Sequence, residues 1–376
     1  ARVEEEYDED DDDDDREFRR RIKDSPNFMA APDKEQYDEL ARLMGERGNS
    51  LHNDDKPPRA QIPAVDTVHY NLLISMCADA RRWRAALSLL VRMRERRVPR
   101  DTVTYNAILK ALHRGGRSKL AVKLFKQMRS EGIQPNTVTF ASAIAASAAE
   151  GSKPALELLE LACQSGTPRN TILYSACVTA CEKAGEWEAA LELLERMDAD
   201  GVAADTMLLN AAVAACARGG NAEAAESIVR DRFGSAGEEC VPDRITYNSL
   251  ISAHARNQPE PQPEKARSVL QRMRELSATD PDAGIGPDVR SYNALMNAYS
   301  RAGDAAAALS ILHDELPQAG LKGDAVSYTT ALGACNATGD WATALQVLRE
   351  AEDVGMALGT LAYSKVIGAL ASGGQW

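Results

Sequence analysis

A polar side chain recurs along this chain at intervals of about 35 residues. Its neighbours are apolar, yet at eight of nine occurrences it is an amide or a hydroxyl. An amide offers two hydrogen-bond donors and an acceptor, so a row of such groups could contact a polar ligand at regular steps. We call this set the polar column. Its members are Asn71, Asn106, Ala141, Ser175, Asn210, Asn248, Asn293, Thr329 and Ser364.

A second column, with Asp or Asn at seven of its eight positions, closes each interval. An Asp or Asn before a helix is also an ordinary N-cap, because its side chain accepts from the first backbone amides. For a single interval we favour that interpretation. Over eight intervals the narrow choice of side chains weakens it. The members of this cap column are Asp101, Asn136, Asn170, Asp205, Asp243, Asp288, Asp324 and Gly359.

The intervals predict pairs of short amphipathic helices that would position both columns. In residues 102–136, Tyr105 and Leu112 fall on one face of a first helix, and Leu124 and Met128 fall on one face of a second. A Gly-Gly turn separates the two helices, and a Gly-x-x-Pro exit ends the unit. The nine units begin at Thr67, Thr102, Thr137, Thr171, Thr206, Arg244, Val289, Ala325 and Thr360. The sixth unit is longer than the others, and we expect its extra residues to include a loop over Ser277–Gly286.

One such helix pair cannot bury its apolar face alone, so neighbouring pairs must stack. A small residue at a fixed point of each second helix favours this close approach. The residues are Ala86, Ala121, Ala155, Ala190, Ala225, Ala266, Ala308 and Ala344. The predicted fold class is therefore all-α, a superhelical solenoid of tandem antiparallel helix pairs.

These motifs resemble the pentatricopeptide repeat family over residues 67–376. The resemblance rests on the 35-residue period, "VTYN", an Ala-Gly turn, "A-L-x-L-F/L-x-x-M" and "G-I-x-P-D/N". The related tetratricopeptide repeat has a period of about 34 residues and a different first-helix pattern, which is absent here. The resemblance implies a right-handed superhelix that binds single-stranded RNA with one base per repeat.

In that family the polar and cap columns select the base. Carried onto this chain, Asn71 with Asp101 implies uracil, Asn106 with Asn136 a pyrimidine, and Ser175 with Asp205 guanine. Three further pairs imply uracil; they are Asn210 with Asp243, Asn248 with Asp288, and Asn293 with Asp324. Thr329 lacks a terminal partner and suggests only a purine, and Ala141 is unreadable. The implied target is 5′-U-Y-N-G-U-U-U-R-3′.

A third column, the second residue of each unit, is apolar at eight of nine units. The resemblance implies that these residues sandwich each base, and core packing is an equally weighted alternative. Arg290 departs from the pattern, although a guanidinium can also stack on a base. This apolar column contains Val68, Val103, Val138, Ile172, Met207, Ile245, Val326 and Leu361.

A fourth column places cations near the end of the first helices. They could follow the phosphate backbone of RNA, or they could complement the negative end of each helix, and the two roles are compatible. This basic column contains Arg114, Lys183, Arg218, Arg256 and Arg301.

The net charge of −12 is concentrated at the N-terminus, where residues 1–15 hold eleven acids and one base. Judged by position, the repeats are close to neutral, so the acidic total does not exclude RNA. We expect residues 1–32 to be an acidic disordered tail with a basic segment. Two interpretations of the tail are open: a solvated segment without a partner, or a segment that interacts with another part of the system. Residues 33–66 suggest a capping helix and a linker, and residues 67–376 hold eight full units and a ninth partial one.

No constellation of side chains suggests catalysis, and the chain is expected not to be an enzyme. The five histidines are scattered. Cys177 and Cys181 are one helical turn apart but have no partner ligands, so neither a metal nor a cofactor is expected. No apolar run is long enough to span a membrane. A reducing compartment is expected from the packing positions of the cysteines.

The resemblance implies sequence-specific RNA binding in RNA processing, splicing, stability or translation in a chloroplast or mitochondrion, with RNA-processing proteins as further partners. Two alternatives remain: a helical-repeat scaffold for protein interactions, or the RNA-binding part of a larger RNA-processing enzyme. The chain is expected to be a fragment, since it begins at Ala1 and its last unit stops at Trp376.

Overall fold

The structure, a computed structural model, describes residues 66–233 and 240–374. The predicted acidic tail, the basic segment and the capping helix lie outside the described residues. Within the described ranges every regular element is helical, as the periodicity predicts.

The first helices of the nine units are α1 (Thr67–Asp79), α3 (Thr102–Arg114), α5 (Thr137–Ser147), α7 (Thr171–Ala184), α9 (Thr206–Gly219), α11 (Arg244–Arg256), α13 (Val289–Ala302), α15 (Ala325–Thr338) and α17 (Thr360–Ser372). The second helices are α2 (Trp83–Glu95), α4 (Ser118–Ser130), α6 (Ser152–Gln164), α8 (Trp187–Ala199), α10 (Ala222–Asp231), α12 (Pro263–Thr279), α14 (Ala305–Ser310) and α16 (Trp341–Asp353). Every first helix begins at the residue predicted from the repeat, which confirms the register.

Glycines end the helices where the sequence pattern indicates. Gly116, between α3 and α4, has a φ of 67°, and Gly132, after α4, has a φ of 77°. Both values lie in the left-handed region, which glycine enters without the steric penalty of a Cβ atom. The chain therefore reverses direction at each of these points.

The units stack as a solenoid. Each first helix packs on the first helix of the next unit, and each second helix packs between two successive first helices. The eight alanines of the second helices are all fully buried, which confirms their role in close helix approach. A larger side chain there would overpack the junction, at a cost of about 1–3 kcal/mol.

The sixth and seventh units place some of their extra residues in the second helix. The seventh unit is one residue longer than most, and α14 continues through a π-helical turn (Ile311–Glu315) into a last turn (Leu316–Gln318). The π turn accommodates the extra residue within the helix. In the sixth unit, a loop over Ser277–Gly286 was predicted. That prediction was wrong at its start, because α12 extends to Thr279 and only then gives way to a short 3-10 turn (Pro281–Ala283).

Candidate nucleic-acid interface

The side chains of the cap column form helix N-caps. In seven units its side chain accepts a hydrogen bond from the third backbone N–H of the following first helix. The distance is 2.8 Å from Thr104 N to Asp101 Oδ1 and 2.7 Å from Leu208 N to Asp205 Oδ1. Asn136, Asn170, Asp243, Asp288 and Asp324 make the same bond. Gly359 has no side chain and makes none.

Five of these caps are closed by a hydroxyl. The third residue of the following helix is Thr or Ser, and its Oγ accepts from the backbone N–H of the cap residue. The result is a reciprocal capping box. The hydroxyl residues are fully buried. They are Thr104, Thr139, Thr246, Ser291 and Ser327.

The cap column also contacts the polar column of its own unit. Asn71 Nδ2 donates to Asp101 Oδ1 at 3.1 Å, and Asn293 Nδ2 donates to Asp324 Oδ1 at 3.0 Å. The same bond joins Asn210 to Asp243 at 3.1 Å and Asn248 to Asp288 at 3.3 Å. In these four units the structure brings together the two residues that were predicted to select one base.

Three predicted sites lack this contact. Asn106 makes no side-chain bond to Asn136, and its Oδ1 atom is buried without a partner in the described part of the chain. No hydrogen bond joins Ser175 to Asp205, and the third residue of the helix that Asp205 caps is Leu208, which has no hydroxyl group. The hydroxyl of Thr329 donates to the carbonyl of Ala325 in its own helix, at 2.6 Å.

Three carboxylates of the cap column, Asp101, Asp288 and Asp324, are held ionised. Burial works to raise the pKa of Asp101, but hydrogen bonds from Thr104 and Asn71 outweigh it, and the pKa falls below the ordinary value. The same balance lowers the pKa of Asp288 and of Asp324. Each therefore carries a negative charge at neutral pH.

The apolar column is exposed to solvent, so the core-packing alternative was wrong. Met207 is 72% exposed and Val138, the most covered of the set, is 54% exposed. The column lies three residues before the polar column on the same helices, and i, i+3 spacing puts both on one face. We call this shared surface of the first helices the groove face. Its other apolar members are Val68, Val103, Ile172, Ile245, Val326 and Leu361, each more than half exposed.

Two of the five residues in the basic column contact the C-terminal end of a helix. Arg114 donates to the carbonyl of Ala78 and pairs with Asp79 at 2.7 Å. Arg218 donates to the carbonyl of Lys183 at 3.5 Å. Both guanidiniums thus complement the C-terminus of the preceding first helix, whereas the sequence pattern placed them only at the end of their own helix. Arg256 and Arg301 are exposed and make no side-chain bond with a described residue.

A cavity of about 320 Å³ lies where α9, α11 and α13 meet. Ile245 of the apolar column, Asn248 of the polar column, and Arg218 and Arg256 of the basic column all line it. Arg290, which replaces an apolar residue in the seventh unit, also lines it. Members of three columns that are separate in the sequence therefore meet around one space, whose size is at the lower end of small-ligand sites.

Two features escaped the sequence analysis. The buried hydroxyls were not assigned a function, although the residue before each unit's aromatic, as in "VTYN", carries the signal. Arg290 was noted as a departure from the apolar column, but its position on the same cavity as Arg256 follows only from the stacking of units six and seven.

The described ranges contain no cluster of three or more His, Cys, Asp or Glu side chains with the spacing of a metal site. The helices in those ranges all fall short of the length and apolar character that a bilayer span requires. The thiols are buried for the most part, and burial raises the pKa of Cys216 to about 12 and of Cys335 to about 11.

Comparison with curated proteins gave no significant match. Among solved structures, the chain is similar to the pentatricopeptide repeat protein PPR10 in complex with an 18-nt psaJ RNA element. The identity is 22%, the match covers 91% of this chain and 55% of that one, and the TM-score is 0.38. PPR10 from maize matches at 22% identity over 91% of this chain and 49% of that one, with a TM-score of 0.41.

The PPR domain of Arabidopsis thaliana protein-only RNase P 1 in complex with tRNA matches at 18% identity. This match covers 44% of the chain and 87% of that domain, with a TM-score of 0.38. The chain spans about half the length of the PPR10 chains that it matches.

Three family models of one repeat type match the sequence. The PPR repeat family matches residues 65–114 and 100–148, and the pentatricopeptide repeat domain matches residues 192–257 and 311–372. The PPR repeat matches residues 172–202 and 290–314. Together they span more than half of the chain. The chain belongs to the pentatricopeptide repeat family.

Proposed function

We propose that this chain binds single-stranded RNA in a sequence-specific manner, with one base held by each repeat on the groove face. The observation that carries the proposal is the exposed apolar column beside the polar column. Eight large apolar side chains, each more than half exposed, recur once per unit on the same helix face. A regular exposed row of this kind marks an interaction surface, and its spacing suits a ligand that repeats.

The polar column offers hydrogen bonds between these apolar residues. In the four units with a paired Asn and Asp, one amide hydrogen is used by Asp Oδ1, and the second remains available. Asp Oδ2 receives no hydrogen bond from a described residue in any of these four units. Each pair thus offers a donor beside an acceptor. Uracil presents the complement on its Watson–Crick edge, a carbonyl next to an N–H.

Electrostatics support a phosphate backbone on the same face. Arg218, Arg256 and Arg290 surround the cavity that Ile245 and Asn248 line. A base that stacked on Ile245 and bonded Asn248 would place its phosphates within reach of these guanidiniums. Cations that neutralise phosphates release counterions, so binding should weaken steeply as salt rises.

The preferred sequence follows from the order of the pairs and is proposed as 5′-U-Y-N-G-U-U-U-R-3′. The RNA is therefore rich in uracil. We further propose that the chain acts in a chloroplast or mitochondrion, in RNA processing, splicing, stability or translation, together with RNA-processing proteins. Its own contribution is binding, and catalysis is left to those partners.

The test is a fluorescence-anisotropy titration of the protein with 5′-UUAGUUUA-3′ and with its complement at one fixed salt concentration. We expect the first oligomer to bind at least about tenfold more tightly, because each base contact contributes roughly 1–3 kcal/mol. Equal and weak binding of both oligomers would refute sequence-specific RNA binding. A protein-interaction scaffold would then be the better account of the groove face.

A further inference from the structure

We propose that the base preference of a repeat is set jointly with a buried hydroxyl that belongs to the following repeat. The hydroxyl residues are Thr104, Thr246, Ser291 and Ser327, and each acts as a positioning residue for an asparagine of the polar column. The inference rests on the proposed function, because it concerns how the base-contacting amide is held.

The contact that carries this inference crosses from one unit to the next. Thr104 Oγ1 donates to Asn71 Oδ1 at 2.6 Å, and Ser327 Oγ donates to Asn293 Oδ1 at 2.7 Å. Thr246 makes the same bond to Asn210, and Ser291 makes it to Asn248. The four hydroxyl residues are fully buried, so water does not compete for these bonds.

The capping box fixes the direction of the hydroxyl proton. Thr104 Oγ1 accepts from the backbone N–H of Asp101 at 3.3 Å, so its own hydrogen must point elsewhere. Two acceptors are near, Asn71 Oδ1 at 2.6 Å and Asp101 Oδ1 at 2.9 Å. The asparagine is the nearer one in all four units, which favours donation to the amide.

The amide is consequently held in one orientation from both sides. Its Oδ1 faces a hydroxyl that donates, and its Nδ2 faces a carboxylate that can only accept. A flipped amide would set its carbonyl against the ionised carboxylate and its NH₂ against the hydroxyl proton. The atom left for a base is therefore an N–H donor.

This orientation has a consequence for the choice between two pyrimidines. Uracil offers a carbonyl at the position where cytosine offers an amino group. A fixed N–H donor accepts the first and opposes the second. If the amide could flip, its carbonyl would suit cytosine, and the preference between the two bases would shrink.

The chain contains a natural comparison. Thr139 has the same burial and the same capping box, but its cap residue is Asn136, and the hydroxyl donates to Asn136 Oδ1 at 2.9 Å. No bond from Thr139 reaches Asn106. Thr139 therefore shares the structural role of Thr246 without the proposed positioning role.

The experiment uses the full chain and the variants Thr246→Val, Thr246→Ser and Thr139→Val. Titrations compare RNAs that differ only in the fifth base, uracil or cytosine, which Asn210 is proposed to contact. Thr246→Val should reduce the preference for uracil at that base by roughly threefold to tenfold, the value of one hydrogen bond. Thr246→Ser should retain the preference, because serine fills this role at two other units.

A purely structural role for the hydroxyl predicts something else. Thr246→Val and Thr139→Val would then both lower stability and overall affinity, and the ratio between the two RNAs would stay constant. That result in a discriminating wild-type protein would overturn the inference and leave the proposed function intact. A wild-type protein with no base preference would overturn both.

A second variant protects the test against failure to fold. Ser291→Ala removes the hydroxyl that contacts Asn248, and it should reduce the uracil preference at the sixth base alone. A change at any other base, or at none, would count against the inference.

Discussion

The apolar column gives the sharpest test of the groove face, because its side chains contribute little to folding. Val103 is 58% exposed, and Val68 and Val138 are 71% and 54% exposed. Replacing such residues by alanine should change the free energy of unfolding by no more than about 0.5 kcal/mol each. If RNA covers them, however, the lost methyl groups should appear in the binding free energy.

The magnitude follows from the exposed fractions. A buried methylene contributes about 0.8 kcal/mol, and Val→Ala removes two carbons. Covering the 58% of Val103 that is now exposed is then worth about 0.9 kcal/mol, roughly a fivefold change in affinity. The same treatment of Val68, Val103 and Val138 together gives about 3 kcal/mol, roughly a hundredfold weaker binding, if the contributions add.

A matched control is available at the other exposed valines. Val241 is 58% exposed and Val354 is 68% exposed, and both lie outside the apolar column. The double variant Val241→Ala/Val354→Ala should bind the 5′-UUAGUUUA-3′ oligomer as the wild type does. Thermal unfolding of both variants, followed by circular dichroism, checks that the fold is unchanged. The reasoning fails if the triple variant binds like the wild type, or if the control loses as much.

Three further expectations follow from the site and the core. Asn248→Thr should move the preference at the sixth base from uracil towards guanine, which titrations with oligomers that carry each of the four bases at that position will measure. A changed preference at a different position of the oligomer would contradict the assignment of Asn248 to the sixth base. Arg256→Ala should lower the salt dependence of binding by about one counterion without loss of stability, whereas Arg218→Ala should also lower the melting temperature because Arg218 caps a helix end. Burial lowers the pKa of His254 in the folded protein and outweighs the attraction of Glu226 at 3.2 Å. As pH falls, His254 is therefore protonated in the unfolded chain before it is protonated in the folded one, and the free energy of unfolding should decrease below about pH 6.5. The variant His254→Gln should show a weaker dependence of the free energy of unfolding on pH.

Much of the fold could be predicted from the sequence because local rules agree with the repeat. The helix starts followed from the cap residues, the turns from glycine, and the stacking from the alanine column, each a short-range feature that recurs in register. The insertions were harder. The extra residues before Thr279 extend a helix, and nothing in their local pattern distinguished this from a loop.

The site was predictable in its members but not in its contacts. Sequence could place Asn71 and Asp101 in their columns, and the structure adds that their side chains meet across the first unit, from its first helix to its last residue. Periodicity alone could not decide whether Val103 was core or surface, since apolar residues of one helix can face either way. The decision depends on which side of the first helix the neighbouring units cover, and that is a property of stacking.

The cap column shows why a structural and a functional role were hard to separate from sequence. In Asp101, one carboxylate oxygen accepts from Thr104 N and from Asn71 Nδ2, and the other oxygen accepts nothing from the described residues. The first oxygen starts a helix and holds an amide, and the second can face a ligand. An amide in its place keeps the cap, as Asn136 does, but brings no negative charge to hold Asn106. Stability therefore favours any good cap at this position, and only the contact with the polar column separates a carboxylate from an amide. A substitution Asp243→Asn should consequently leave the helix capped while it loosens Asn210, so that a loss of base preference with unchanged melting temperature would mark the functional role by itself.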